Sequence, residues 1–202
     1  AEADRQLSLS QAIRSAGDVI LNAGTFVSEL GTDADVDLIA DQLTVTSRTG
    51  ISGIELGVNE LASIQNISGG SIVLTDSDSI GDSVSGLNVV SVTNFDLIDI
   101  STAGDLTVAK VVATGVSSDV QLSSAGVLTT IPVTGLAQPV SAGRDLSLNA
   151  VGNLVITAGI TAPNLVHLGS DATIDTSNVT LSLSTQQEIA IESNNSLKIT
   201  GT

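Results

Sequence analysis

Cysteine, methionine, tryptophan and tyrosine are missing from this 202-residue chain, and phenylalanine occurs only at Phe26 and Phe95. Without cysteine there is no disulfide framework, no thiolate metal site and no cysteine nucleophile. A small disulfide-stapled secreted fold is therefore excluded, whereas a large secreted fold that relies on hydrogen bonding and repetition is not. Aromatic side chains normally fill wide, irregular interiors, so their scarcity predicts a narrow interior that repeats itself and takes aliphatic side chains of similar size. Proline is nearly absent too. Pro132, Pro139 and Pro163 fall in stretches that read as turns, as expected of a residue that cannot donate to a strand ladder.

Positive charge is the next shortage. Arg5, Arg14, Arg48, Lys110, Arg144 and Lys198 stand against 22 acidic residues, for a formal charge of −16. The six are scattered, so no cluster exists to neutralise phosphates, and nucleic-acid binding is set aside. An anionic membrane surface would repel the chain. No apolar run approaches the length of a membrane span, and no basic stretch followed by an apolar one marks a signal peptide. With no Met anywhere, the chain reads as processed or as an excerpt, and its repeats favour an excerpt of a longer repetitive chain.

What is present is a short alternation that keeps restarting. In "STAGDLTVAKVVATGVSSDVQLSSAG", from Ser101, Leu106 and Val108, then Val120 and Leu122, recur at every second position, which is the strand period. The unit is Gly or Ser, then Asp or Asn, then aliphatic, any residue, aliphatic. It recurs as "GDVIL" from Gly17, "GDLTV" from Gly104, "SDVQL" from Ser118, "RDLSL" from Arg144 and "GNLVI" from Gly152. Asp105 and Asp119 are 14 residues apart but Asp145 and Asn153 only 8, so each copy is one side of a coil and two or three sides make a turn. At about 20 residues per coil, the chain makes about ten coils. Stacked at about 4.8 Å, these form a rod of about 45 Å. Gly, Asn, Asp and Ser supply the corners between sides. The predicted inward residues are Val19, Leu21, Leu106, Val108, Val120, Leu122, Leu146, Leu148, Leu154 and Ile156. Residues 11–15 are read as strand in preference to a helical turn, because Leu7 and Leu9 before them alternate and Gly17 follows.

Few residues announce chemistry. His167 is the lone histidine and reads as an outward strand residue. Serine and aspartate are abundant, but no Gly-x-Ser-x-Gly elbow singles out a nucleophile, and no P-loop occurs. Acidic groups are the better candidates. Asp76, Asp78 and Asp82, in the polar stretch 76–86 read as an outward loop, or Asp33, Asp35 and Asp37, place carboxylates in the Asp-x-Asp pattern that suits calcium. The first set is the preferred metal candidate. A sugar-cleaving carboxylate pair needs the same residues, but the lack of nearby basic and aromatic groups weighs against a carbohydrate cleft. Neither a calcium-binding nonapeptide repeat nor a regular Thr-x-Thr ice-binding ladder is present.

The run "GDLTV…SDVQLSSAG…GRDLSLNAVGNLVITAG" resembles the filamentous-haemagglutinin-like repeat regions of large bacterial surface and secreted proteins. The likeness is clearest from Gly104 to Ala162. It implies a parallel right-handed β-helix and a place outside the cell or on its surface, with a role as adhesin, stalk or fibre. The combined expectation is an all-β chain, residues 1–202 forming one β-solenoid segment, with no catalytic function and no cofactor unless calcium. Its expected partners are neighbouring repeats, a second copy end to end, and a host surface or glycan. The alternatives are a calcium- or glycan-binding module and a polysaccharide-active β-helix enzyme.

Overall fold

Alternating aliphatic residues broken by Gly, Ser and Asp fold here mostly into strands too short to bury their apolar faces alone. The computed structural model describes residues 2–3, 5–31, 35–77, 86–176 and 188–198. Among these, 23 strands and no helix form, and every strand pairing is parallel. The strands stack in three columns, one for each side of a coil.

The first side runs through Val19–Ala23, Val92–Asn94, Val111–Ala113 and Val140–Ser141 to Ile160–Thr161. The second runs through Leu7–Leu9, Phe26–Glu29, Ile72–Asp76, Ile98–Thr102, Val120–Ser124, Asp145–Ala150 and Leu165–Ser170 to Glu188–Ser193. The third contains Ile13–Arg14, Leu87–Val89, Leu106–Val108, Leu128–Thr130, Leu154–Ile156 and Thr173–Asp175. Two long strands, Leu38–Ser47 and Gly50–Asn66, each serve more than one side as the chain rounds a corner without leaving the ladder. Residues 11–15 contain the short strand Ile13–Arg14, as the alternation predicted.

The structure is a β-solenoid of about eight turns where the sequence spacing gave about ten. The reason lies in unequal coils. Side-chain partners on neighbouring turns are 18, 20, 22, 26 or 28 residues apart, because the corners differ in length. The segment 131–139 is one such excursion, carrying Pro132, Pro139 and the isolated antiparallel bridge Val133↔Leu136.

Register explains the core. Ile98 and Ile100 pair with Ile72 and Leu74 on one side and with Val120 and Leu122 on the other, and those with Leu146 and Leu148. Like thus stacks on like. All ten predicted inward residues are buried, in one cluster that extends from Leu9 to Ile174. Each fully buried Leu, Ile or Val contributes about 1.5–3 kcal/mol. Both aromatics stay outside this column: Phe26 is half-buried over Gly50, and Phe95 is 54% exposed beside Gly115. The narrow interior has no room for them.

Corners are held by buried polar side chains. Asp76, Thr102, Ser124, Ala150, Ser170 and Ser193 share one register position at the end of the second side. From there Ser124 Oγ donates to the Gly104 carbonyl at 2.7 Å, Ser170 Oγ to Gly152 at 2.8 Å, and Ser193 Oγ to Ala172 at 3.0 Å. At the corner between first and second sides, Asn66 Nδ2 reaches the carbonyls of Gly69 and Gly70, and Asn94 Nδ2 those of Gly70 and Leu97 at 2.8 and 2.7 Å. These carbonyls would otherwise be orphaned where the chain leaves the ladder. Gly70 has φ +87°, and a Cβ there would lie 1.8 Å from the Thr49 carbonyl oxygen. Only glycine fits.

Candidate functional site

Sequence reasoning placed calcium at Asp76, Asp78 and Asp82. Asp78 and Asp82 lie outside the described residues. Asp76 does not belong to an outward loop: it ends the strand Ile72–Asp76, is 1% exposed, and accepts a hydrogen bond from Thr102 Oγ1 at 2.9 Å. Its place is a corner position, the one that carries Thr, Ser or Ala on the later described turns. Of the second set, Asp33 is outside the described residues, Asp35 is exposed, and Asp37 is buried at 7% exposure.

Among the described residues, Asp37 belongs to a group of three neighbouring carboxylates. Glu29 ends the strand Phe26–Glu29, Asp37 immediately precedes Leu38–Ser47, and Glu55 lies within Gly50–Asn66. The corner between second and third sides brings one carboxylate oxygen from each within 4.8 Å of the others. Glu55 N–H donates to Asp37 Oδ2 at 3.1 Å, which stitches two successive turns together at this point. Glu55 Oε2 is closed off from solvent and has no hydrogen-bond partner. It faces carboxylates, which are acceptors like itself. Burial, and then Asp37 and Glu29, push the Glu55 carboxyl up from 4.5 to about 7. A groove of about 360 Å³ opens beside the cluster, lined in part by Glu29, Asp35, Asp37 and Arg14. Of these three, sequence reasoning singled out Asp37 alone, which stood in an Asp-x-Asp pattern; Glu29 carried no such signal. Glu55, 18 residues on, becomes its neighbour only through the register of the coils.

A second polar patch surrounds His167. On the outward face of the second side, His167 pairs in register with Ser147, and Ser147 Oγ lies 3.1 Å from His167 Nδ1. Asn149 Nδ2 donates to the same Oγ at 2.9 Å. Glu192 Oε2 stands 3.9 Å from His167 Nε2, with Glu192 79% exposed. The order serine, histidine, carboxylate is that of a nucleophilic triad, but 3.9 Å exceeds hydrogen-bond length, so the acid does not fix the ring. The groove there, about 300 Å³, is lined mostly by Ser, Asn and acidic residues. His167 is thus the outward strand residue that the sequence suggested. Farther along, Arg144 pairs with Asp119 and lies 3.2 Å from Asp145, and these carboxylates raise its guanidinium pKa further.

No family model, curated protein or solved structure matches the chain.

Proposed function

We propose that this chain is a rigid spacer or fibre segment of a large extracellular bacterial surface protein of the filamentous-haemagglutinin-like kind, acting as stalk or adhesin. The observation that supports this reading is the single unbroken core, in which aliphatic ladders run along the axis through every complete turn. Each interior turn is clamped from both sides by parallel ladders, so bending the rod means breaking backbone hydrogen bonds on one side of the stack. Stiffness is what a spacer needs. The acidic surface keeps such rods apart and in solution. The repeat pattern from Gly104 to Ala162 supports the family assignment.

The reading is tested on intact cells of the source organism with an antibody raised against residues 86–176. Protease added outside the cells is expected to remove the epitope before lysis. Protection of the epitope until lysis would overturn a surface location. Replacing the segment in its parent protein by a Gly/Ser linker of equal length is expected to abolish surface display or adhesion, because such a linker collapses to a coil. Unchanged display and adhesion would overturn the structural role.

A further inference from the structure

We infer that the groove beside His167, on the outward face of the second side, binds a neutral oligosaccharide through its hydroxyl groups. Such a site goes beyond the spacer reading and does not depend on it.

A missing side chain opens the groove. Ser123, Asn149, Gly169 and Glu192 share one outward register position on four successive turns, and only Gly169 leaves it bare. Its φ is not left-handed, so the backbone does not call for glycine there. A Cβ would lie 2.4 Å from Asn149 Oδ1, which leans over the bare strand. Because Asn149 Nδ2 is engaged by Ser147 Oγ, the amide presents its oxygen to this recess. The hollow holds about 300 Å³, the small end of ligand sites, and the exposed Val151 stands at its rim. A second hollow of about 220 Å³, lined in part by Gln121, Ser147 and Leu165, shares His167 with the first, so the two make one trough along the strands.

The hydrogen bonds already made select the ligand. Ser147 Oγ accepts the Asn149 N–H and has its own proton to give His167 Nδ1 at 3.1 Å, an assignment that leaves the ring proton on Nε2. That N–H faces Glu192 Oε2 at 3.9 Å, too far to bond with it. One oxygen about 2.8 Å from each would bridge the gap, accepting from Nε2 and donating to the carboxylate. A hydroxyl can do both. An ammonium group only donates, so it cannot take the ring N–H, while a phosphate only accepts and is opposed by Glu192 and Asn149 Oδ1. Sugars carry several hydroxyls on a rigid ring whose C–H face suits Val151. An extended peptide finds no edge here, since both Asp145–Ala150 and Leu165–Ser170 are paired on either side. No aromatic residue lines either hollow, so hydrogen bonds carry the recognition and the affinity is millimolar.

The test uses the whole 202-residue chain and saturation-transfer difference NMR, which observes the sugar and tolerates association of the protein. Maltotriose, cellotriose and mannotriose are each titrated to about 20 mM, which spans millimolar dissociation constants. At least one should show saturable transfer. Gly169→Val fills the hollow and should abolish it; every atom that a Cβ meets there belongs to a side chain able to swing aside, so the strand is kept. His167→Ala removes the bridging N–H and should weaken binding about fivefold. It also covers the case in which circular dichroism shows Gly169→Val unfolded. Thr107→Ala, on the outward face of the third side, should bind as the parent does. No saturable transfer to any of the three sugars overturns the site. So does unchanged affinity in the folded groove variants, or displacement of the sugar by equimolar putrescine, which would make the groove a cation site.

Discussion

At neutral pH the Glu55 carboxyl sits near its midpoint, because burial opposes its charge and Asp37 and Glu29 repel it. The folded pKa of about 7 lies above the ordinary 4.5, so the folded state holds this proton more tightly than the unfolded chain does. Its stabilising contribution is therefore complete below about 4.5 and is lost as pH rises through about 7. In calcium-free buffer the urea midpoint of the parent chain should fall between pH 5.5 and pH 8 relative to that of Glu55→Gln. Asp99, raised in the same direction by burial, is common to both chains and cancels in the difference. A constant difference across that window would show that Glu55 does not carry the proton. Gly70 sets a different kind of constraint. Gly70→Ala combines a left-handed φ with a clash against backbone that cannot swing aside, and should cost about 3 kcal/mol or more in urea unfolding. A loss below 1 kcal/mol would mean that the corner is built otherwise.

A strand of this solenoid has two faces that differ in everything but sequence position. In Asp145–Ala150, Leu148 is fully buried between Leu122 and Leu168, while its neighbour Ser147 lies on the outward face beside His167. Leu148→Ala should cost about 2–5 kcal/mol by chemical denaturation, and Ser147→Ala within about 0.5 kcal/mol. Comparable losses from both would contradict the register. This two-residue period is why the core was legible from sequence: Val19 and Leu21, Leu106 and Val108, or Leu154 and Ile156 declare their face by alternation alone. Turn length was not legible, because corners such as 131–139 add residues without adding a side. Asp76 misled for a related reason. Its neighbours suggested a polar loop, but it occupies the last inward position of its strand, and only alignment with Thr102 and Ser124 reveals this. The carboxylate cluster was hidden more deeply, since Glu29, Asp37 and Glu55 come together through coil register, which no local pattern specifies.

The whole molecule is a stack with two ends. Among the described residues, Leu7–Leu9 pairs only with Phe26–Glu29, and Glu188–Ser193 only with Leu165–Ser170. Among the described residues, each of these two strands therefore has one edge with no strand paired to it, an edge that can template a further strand. The 202-residue chain, studied alone, should associate head to tail in sedimentation velocity, with the larger species growing with concentration. A monomer that persists to about 1 mM would count against open ends. The corner hydroxyls extend this thought from space into time. Ser124 serves the Gly104 carbonyl and Ser170 serves Gly152, each reaching back to a corner laid down about twenty residues earlier. At these two corners the carbonyl is met only once the following turn is in place. A chain emerging from its N-terminus would therefore leave one provisional turn at the growing tip while everything behind it is already sealed. Construction is progressive, and the last turn laid down is always the one still open to repair.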